Sequence, residues 1–231
     1  MSELVVEPGD CAEAYRGLRE RVTELVRAAD TAALDALAPA TPEWRVRDIV
    51  AHMTGVNTDI VNGTLAGVGT DPWTAVQVET RLEMPIDEML EEWDTNGSAV
   101  EANAAILGAA AGQWVYDACT HEHDIRQALH APGARDSEAV AVAFTWGTER
   151  LSAGLDAKSL PGLTIHTAAD AHAVGSGEPR TTLALDAFEL IRAMTGRRSL
   201  AQMNAYAWDG PARSEDLVLT IFTPRADDFV E

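Results

Sequence analysis

The chain has 231 residues and a mass of 24.7 kDa, and 46% of its residues are apolar, enough for a packed core in one large or two modest domains. A formal charge of −20 and a pI near 4.5 would repel phosphate backbones and anionic lipid surfaces, which excludes nucleic-acid binding as an expectation. Apolar runs are short and broken by charge, and MSELVVEPGD carries no basic region before an apolar run, so neither a membrane span nor a secretory signal is expected. Cys11 and Cys119 could form one bridge at most, and the expected compartment is the reducing cytoplasm. All but one of the basic residues are arginine, Lys158 being the exception, a usage that fits GC-rich coding.

In chain order, Tyr15, Leu18, Val22, Leu25 and Val26 recur at three- and four-residue steps and predict a first amphipathic helix over about 10–30. After the breakers of APATPEW, the residues Val46, Ile49, Val50, Met53, Val56, Ile60 and Val61 predict a second, with Asp48 suited to its N-terminal dipole and His52 within reach of its apolar stripe. A third follows Pro85 through Ile86, Met89, Leu90 and Trp93 and continues in one or two pieces through EANAAILGAAAG. A fourth spans about 113–129, and a fifth is capped by Asp136 or Ser137 and runs through Ala139, Val142, Phe144 and Leu151.

No strand is predicted before Gly154. Beyond it, GLTIHTA and AHAVGSGE read as short strands joined by a turn at Ala169 and Asp170. ALDAFELIRAMTGRRS reads as a helix stopped at Gly196, and AQMNAYAW as a further strand. The expected architecture is α+β: a helical bundle over 1–154, then a small mixed α/β domain over 155–231. GVGTDP does not read as a phosphate loop, because no strand precedes it and no predicted helix follows it.

The stretch DACTHEHDIRQALH, residues 117–130, concentrates side chains able to bind a metal. At roughly 100° per helical residue, Asp117, His121 and Asp124 share one face within about 60°, while Cys119 and His123 point nearly opposite and Glu122 lies well off it. Bundle metal sites draw ligands from facing helices, which makes His52 the natural third ligand beside Asp117 and His121. Imidazole nitrogen and carboxylate oxygen suit zinc or a similar divalent ion, with a position left for water or substrate. Asp124, one turn after His121, would then accept from the free nitrogen of a ligating histidine. Spacing alone favours the plainer reading of a solvated helix pair and a satisfied core histidine, because one carboxylate four residues before a histidine is a weak signal.

Several separated segments resemble one family. WRVRDIVAHMTG is similar to the signature of the DinB-like bundles of mycothiol-dependent maleylpyruvate isomerases, and DACTHEHDIRQAL to that family's second signature. FELIRAMTGRRSLAQ and the terminal PRADDFVE resemble its C-terminal domain. The resemblance implies a DinB-like bundle of four or five helices and a metal held by His52, Asp117 and His121, with aspartate standing where the family generally has glutamate. It also implies zinc as the ion and mycothiol, a low-molecular-weight thiol, as co-substrate. The thiolate would add to an unsaturated electrophile, a carboxylic acid among the candidates, giving isomerisation or S-transfer. Arg197 and Arg198, after Gly196, are the candidates to bind a substrate carboxylate, although basic residues at a helix C-terminus are also favoured by the dipole alone; Arg81 and Arg126 are further candidates.

Other residues read as structural. Trp44 is expected to plug the bundle end, Trp93, Trp114 and Trp146 to lie in the core, and His166 and His172 to share one side of the hairpin without forming a site. Cys119 faces away from the trio and is not read as a nucleophile. Three functional readings stay open: the thiol-dependent enzyme, a small-ligand-binding protein of the same fold, and a hydrolase using metal-activated water.

Overall fold

Pro8 opens the first helix, where its missing N–H would be unpaired in any case, and a computed structural model describes the chain from there as part of residues 6–231. The reading of a missing leader rests partly on residues 1–5, which lie outside the described residues. Two compact units divide at Gly133 and Ala134.

The first unit holds α1 (Pro8–Ala28), the short α2 (Thr31–Leu34), the hairpin β1 (Leu37–Ala38) and β2 (Thr41–Arg45), then α3 (Val46–Asn62), α4 (Asp71–Thr80) and α5 (Ile86–Ala102). A 3-10 turn over Ala104–Leu107 leads to α6 (Ala110–Ala128). Helices α1, α3, α5 and α6 form the bundle, α3 packing on α5 and α1 on α6, while α4 lies against α3. Most of each predicted stripe is buried: Tyr15, Leu18, Val22 and Val26 on α1, Val46, Ile49, Val50, Met53 and Val56 on α3, Met89, Leu90 and Trp93 on α5; Leu25, Ile60 and Ile86 are half-buried and Val61, near the end of α3, is exposed. A polar knot crosses the core. Tyr15 stacks on Trp114 with ring centroids 3.7 Å apart, its hydroxyl accepts from Trp93 Nε1 at 2.9 Å and from Asn57 Nδ2, and Asn57 Oδ1 accepts from Trp114 Nε1 at 3.2 Å. Both indole donors are thereby satisfied inside the apolar interior.

Asp48 sets where α3 begins. It is the third helical residue, and its carboxylate accepts from the Arg45 backbone N–H at 2.9 Å and from the Arg45 guanidinium at 2.9 and 2.8 Å. Burial pushes the Asp48 carboxyl up, but the hydrogen bonds and charge of Arg45 outweigh that and hold its pKa below the ordinary aspartate value. A depressed folded-state pKa adds stability that is present above the unfolded pKa and lost as pH falls through the folded one. Asp48→Asn is therefore expected to be less stable by about 1 kcal/mol at neutral pH. In denaturant titrations across pH, the gap to wild type should close in acid; a gap independent of pH would reject the assignment.

Three elements of this unit differ from the reading of the sequence. APATPEW lies within a hairpin, too short to show alternation. GVGTDP does open a helix, α4, although it follows a helix and not a strand. Helix α4 carries no apolar stripe because the buried side chain it contributes is that of Gln77.

The second unit contains α7 (Glu138–Ala157), β3 (Leu163–His166), β4 (Ala171–Val174), β5 (Thr182–Ala184), α8 (Ala187–Met194), α9 (Leu200–Asn204), β6 (Ala207–Asp209) and α10 (Ser214–Leu217). Ser137 caps α7, its hydroxyl accepting from the Val140 N–H. The sheet order is β4-β3-β5-β6, with β3 and β5 parallel and the outer pairs antiparallel. Gly196, at φ +73°, ends α8; a Cβ there would stand 2.4 Å from the Thr223 carbonyl oxygen, so only glycine fits.

The expected boundary at 154/155 moves to 133/134, because α7 lays its apolar face on α8 and β4. The predicted strand AQMNAYAW divides: Ser199 and Gln202 close a capping box that starts α9, and only Ala207 and Trp208 of the stretch join β6. His166 and His172 do not share a side. Register pairs His172 with Ile165, so His172 turns inward against the Phe144 ring at 4.9 Å while His166 is exposed.

Candidate metal centre

Helices α3 and α6 bring His52, Asp117 and His121 together, with one ligand atom from each within 4.8 Å of the others. His52 Nε2 lies 3.3 Å from Asp117 Oδ2, and His121 Nε2 lies 3.8 Å from Asp117 Oδ1. The two imidazoles meet edge to face with centroids 5.0 Å apart. Both histidines are buried, whereas the Asp117 side chain is 40% exposed, so the group opens to solvent at the carboxylate.

The outer nitrogens are held as firmly as the inner ones converge. His121 Nδ1 lies 3.1 Å from Asp124 Oδ2, a carboxylate with no exposed surface. His52 Nδ1 lies 2.7 Å from Gln77 Oε1, and Gln77 Nε2 donates to Asp59 Oδ2 at 2.7 Å. In the neutral rings, acceptors at both Nδ1 atoms hold the ring protons there and leave the Nε2 atoms facing the Asp117 carboxylate, where a proton or a metal ion can sit between them. Such a convergence of acceptors calls for a cation. Burial disfavours the His52 imidazolium, yet the Asp117 charge and the bonds to Asp117 and Gln77 outweigh it, and the His52 pKa stands above the ordinary histidine value.

The donor set fits a divalent ion of the zinc type. Two ligands each about 2.1 Å from a tetrahedral ion sit about 3.4 Å apart, close to the nitrogen–oxygen separations present. Aspartate, one methylene shorter than glutamate, stands with one oxygen 3.3 Å from His52 Nε2 and the other 3.8 Å from His121 Nε2.

Sequence reasoning named His52, Asp117, His121 and Asp124, and the structure brings these four together. It missed Gln77, since α4 itself was not read, and with Gln77 the role of Asp59 on α3, and it placed Trp44 at the bundle end only. Trp44 stands beside both histidines, its ring 5.3 Å from that of His52 and 5.8 Å from that of His121. One signal could have pointed to Gln77. Gly55 sits inside α3, where glycine costs about 1 kcal/mol relative to alanine. A Cβ at Gly55 would stand 2.5 Å from Gln77 Cβ and 2.6 Å from its Cγ, so the glycine is what lets α4 approach.

The remaining candidates of α6 are engaged elsewhere. Glu122, fully buried, pairs with Arg21 of α1 at 2.7 Å and with Arg126 at 3.0 Å. Cys119 and His123 are buried, on faces other than that of the trio. Burial, helped by Asp10, pushes the Cys11 thiol up to about 11, so it is no thiolate at neutral pH.

The arginines are held within their own units. Arg198, 4% exposed, donates to both Glu189 oxygens at 2.6 and 2.7 Å and to Glu231 at 2.8 Å. Arg197 donates to the Thr195 carbonyl at 2.8 Å and lies against Phe222. Arg81 donates to Glu92 and Thr58, and Arg126 to Glu122 and the Ala131 carbonyl.

Comparison with known proteins agrees with the geometry. Residues 15–130 match the family model of the mycothiol maleylpyruvate isomerase N-terminal domain, a span that contains the whole cluster. The chain is similar in fold to the crystal structure of a mycothiol-dependent maleylpyruvate isomerase H52A mutant, with a TM-score of 0.62 and 9% sequence identity over 85% of this chain and 92% of that one. No curated protein matches the chain. Among the described residues, no helix is long and apolar enough to cross a membrane. With half of its length inside that family model, the chain belongs to the mycothiol maleylpyruvate isomerase N-terminal domain family.

Proposed function

We propose that this protein is a metal-dependent, thiol-using enzyme of the maleylpyruvate isomerase type, with His52, Asp117 and His121 holding a divalent ion, zinc by donor chemistry, and mycothiol as co-substrate. One observation carries the reading: two imidazole nitrogens and a carboxylate oxygen converge within 4.8 Å while both Nδ1 atoms face acceptors. Bound there, the ion would supply a Lewis-acidic centre able to keep a thiol sulfur deprotonated near neutral pH.

The chain's own side chains supply the rest. His52 and His121 present nitrogen and keep their protons on Nδ1; Asp124 and Gln77 fix the ring orientations. Asp117 adds the negative charge, and its exposed edge marks the side open to small molecules. Trp44 stands on the flank beside both rings. The proposed electrophile is a small unsaturated acid, isomerised or carried off as an S-adduct. No step is assigned to Arg197 or Arg198, whose hydrogen bonds already tie them into the second unit.

The test is turnover of maleylpyruvate and related cis-enedione acids by zinc-reconstituted protein with and without mycothiol. Isomerised or S-conjugated product formed only with the thiol supports the reading. Ester or amide hydrolysis without thiol would replace it with the hydrolase, and retained binding of the acid without any turnover would replace it with the ligand-binding protein.

A further inference from the structure

We propose that Gln77, oriented by Asp59, is a positioning residue that fixes the ring and proton of His52, so that metal affinity at α3 depends on α4. The inference rests on the metal reading above and extends it to a residue outside the cluster. The logic runs from charge outward. Asp59, on α3, can only accept when ionised, so the Gln77 amide must turn its NH2 toward Asp59 Oδ2, which it meets at 2.7 Å. The amide oxygen is then left facing His52 Nδ1 at 2.7 Å, and Nδ1 must carry the proton. Nε2 is thereby committed to the side of Asp117. A carboxylate, an amide and an imidazole thus form a directional chain in which reversal of the amide would set two donors, or two acceptors, against each other.

The placement of α4 serves this contact. Its buried residue is the polar Gln77, and it docks on α3 at Gly55, where any side chain would collide with Gln77 Cβ. Farther along, Arg81 anchors the same segment through Glu92 and Thr58. His121 receives the same service from within its own helix, through Asp124. The two histidines therefore differ: one is oriented by its own helix, the other by a separate one.

The test compares zinc affinity, by chelator competition, in wild type, Gln77→Met and the exchange Asp59→Asn/Gln77→Glu. The exchange keeps one negative charge and an acceptor facing Nδ1. Loss of an outer partner of a metal histidine typically lowers affinity about 10–100-fold, which is the effect expected for Gln77→Met, with the exchange variant restored toward wild type. Equal loss in both variants, or no loss in Gln77→Met while His121→Ala abolishes binding, overturns the proposal and leaves the metal reading standing. If wild type takes up no zinc, the metal reading fails, and long-range 1H–15N spectra of the metal-free histidines decide the proposal alone. In the neutral ring, a proton that moves from Nδ1 to Nε2 in Gln77→Met sustains it; a proton that stays on Nδ1 in both proteins overturns it.

Discussion

His121→Ala is expected to abolish zinc affinity, while His123→Ala, two residues along the same helix, leaves it at the wild-type level. His121 Nε2 stands 3.8 Å from Asp117 Oδ1, and without it the cluster keeps one imidazole and one partly exposed carboxylate, too few donors for a tightly held ion. The loss should exceed the ~10–100-fold that removal of an outer partner costs. His123 is buried as deeply, at 3% exposure against 8%, so burial does not distinguish the two. Direction does: two helical residues turn it by about 200° from His121. His52→Ala should behave as His121→Ala, since His52 is the donor that α3 contributes. Competition with a chromogenic chelator reads all three variants, and equal loss in all of them would reject the ligand assignment.

Glu122→Ala is expected to damage the fold and spare the metal. Its carboxylate is wholly buried between two guanidiniums, Arg21 at 2.7 Å and Arg126 at 3.0 Å, and so ties α1 to α6. Removing one partner of a buried ion pair costs about 3–5 kcal/mol because it strands the other charge. The Arg21 side chain is 31% exposed and can recover water, which places the expected loss at the lower end, about 3 kcal/mol. Denaturant unfolding of wild type and variant measures it, alongside zinc affinity at low denaturant. A stable Glu122→Ala protein that has lost zinc would move Glu122 into the metal site and contradict the geometry.

These two residues, adjacent in sequence and opposite in role, show what could be read before the structure. Helical periodicity placed α1, α3, α5 and α7 because each buries an apolar stripe, the stop at Gly196 marked α8, and helical arithmetic on α6 separated Asp117, His121 and Asp124 from Cys119, Glu122 and His123. The partner helix for that trio came from bundle logic and was strengthened by family resemblance, which no single spacing could supply. Helix α4 was illegible because a buried glutamine leaves no apolar pattern, and with it went Gln77, which holds His52. The domain boundary slipped because the apolar face of α7 has the same pattern whichever unit it covers. Arg198 carried the charge expected of a carboxylate ligand, but its carboxylates are Glu189 and Glu231 of the chain itself.

Zinc-edge X-ray absorption on reconstituted, thiol-free protein tests the central claim most directly. The account predicts about one zinc per chain with imidazole nitrogen and carboxylate oxygen at about 2.0–2.2 Å and no sulfur scatterer near 2.3 Å. A sulfur scatterer in the absence of added thiol would place a cysteine on the ion, and failure to retain zinc would leave His52, Asp117 and His121 as a buried polar cluster; either result contradicts the account.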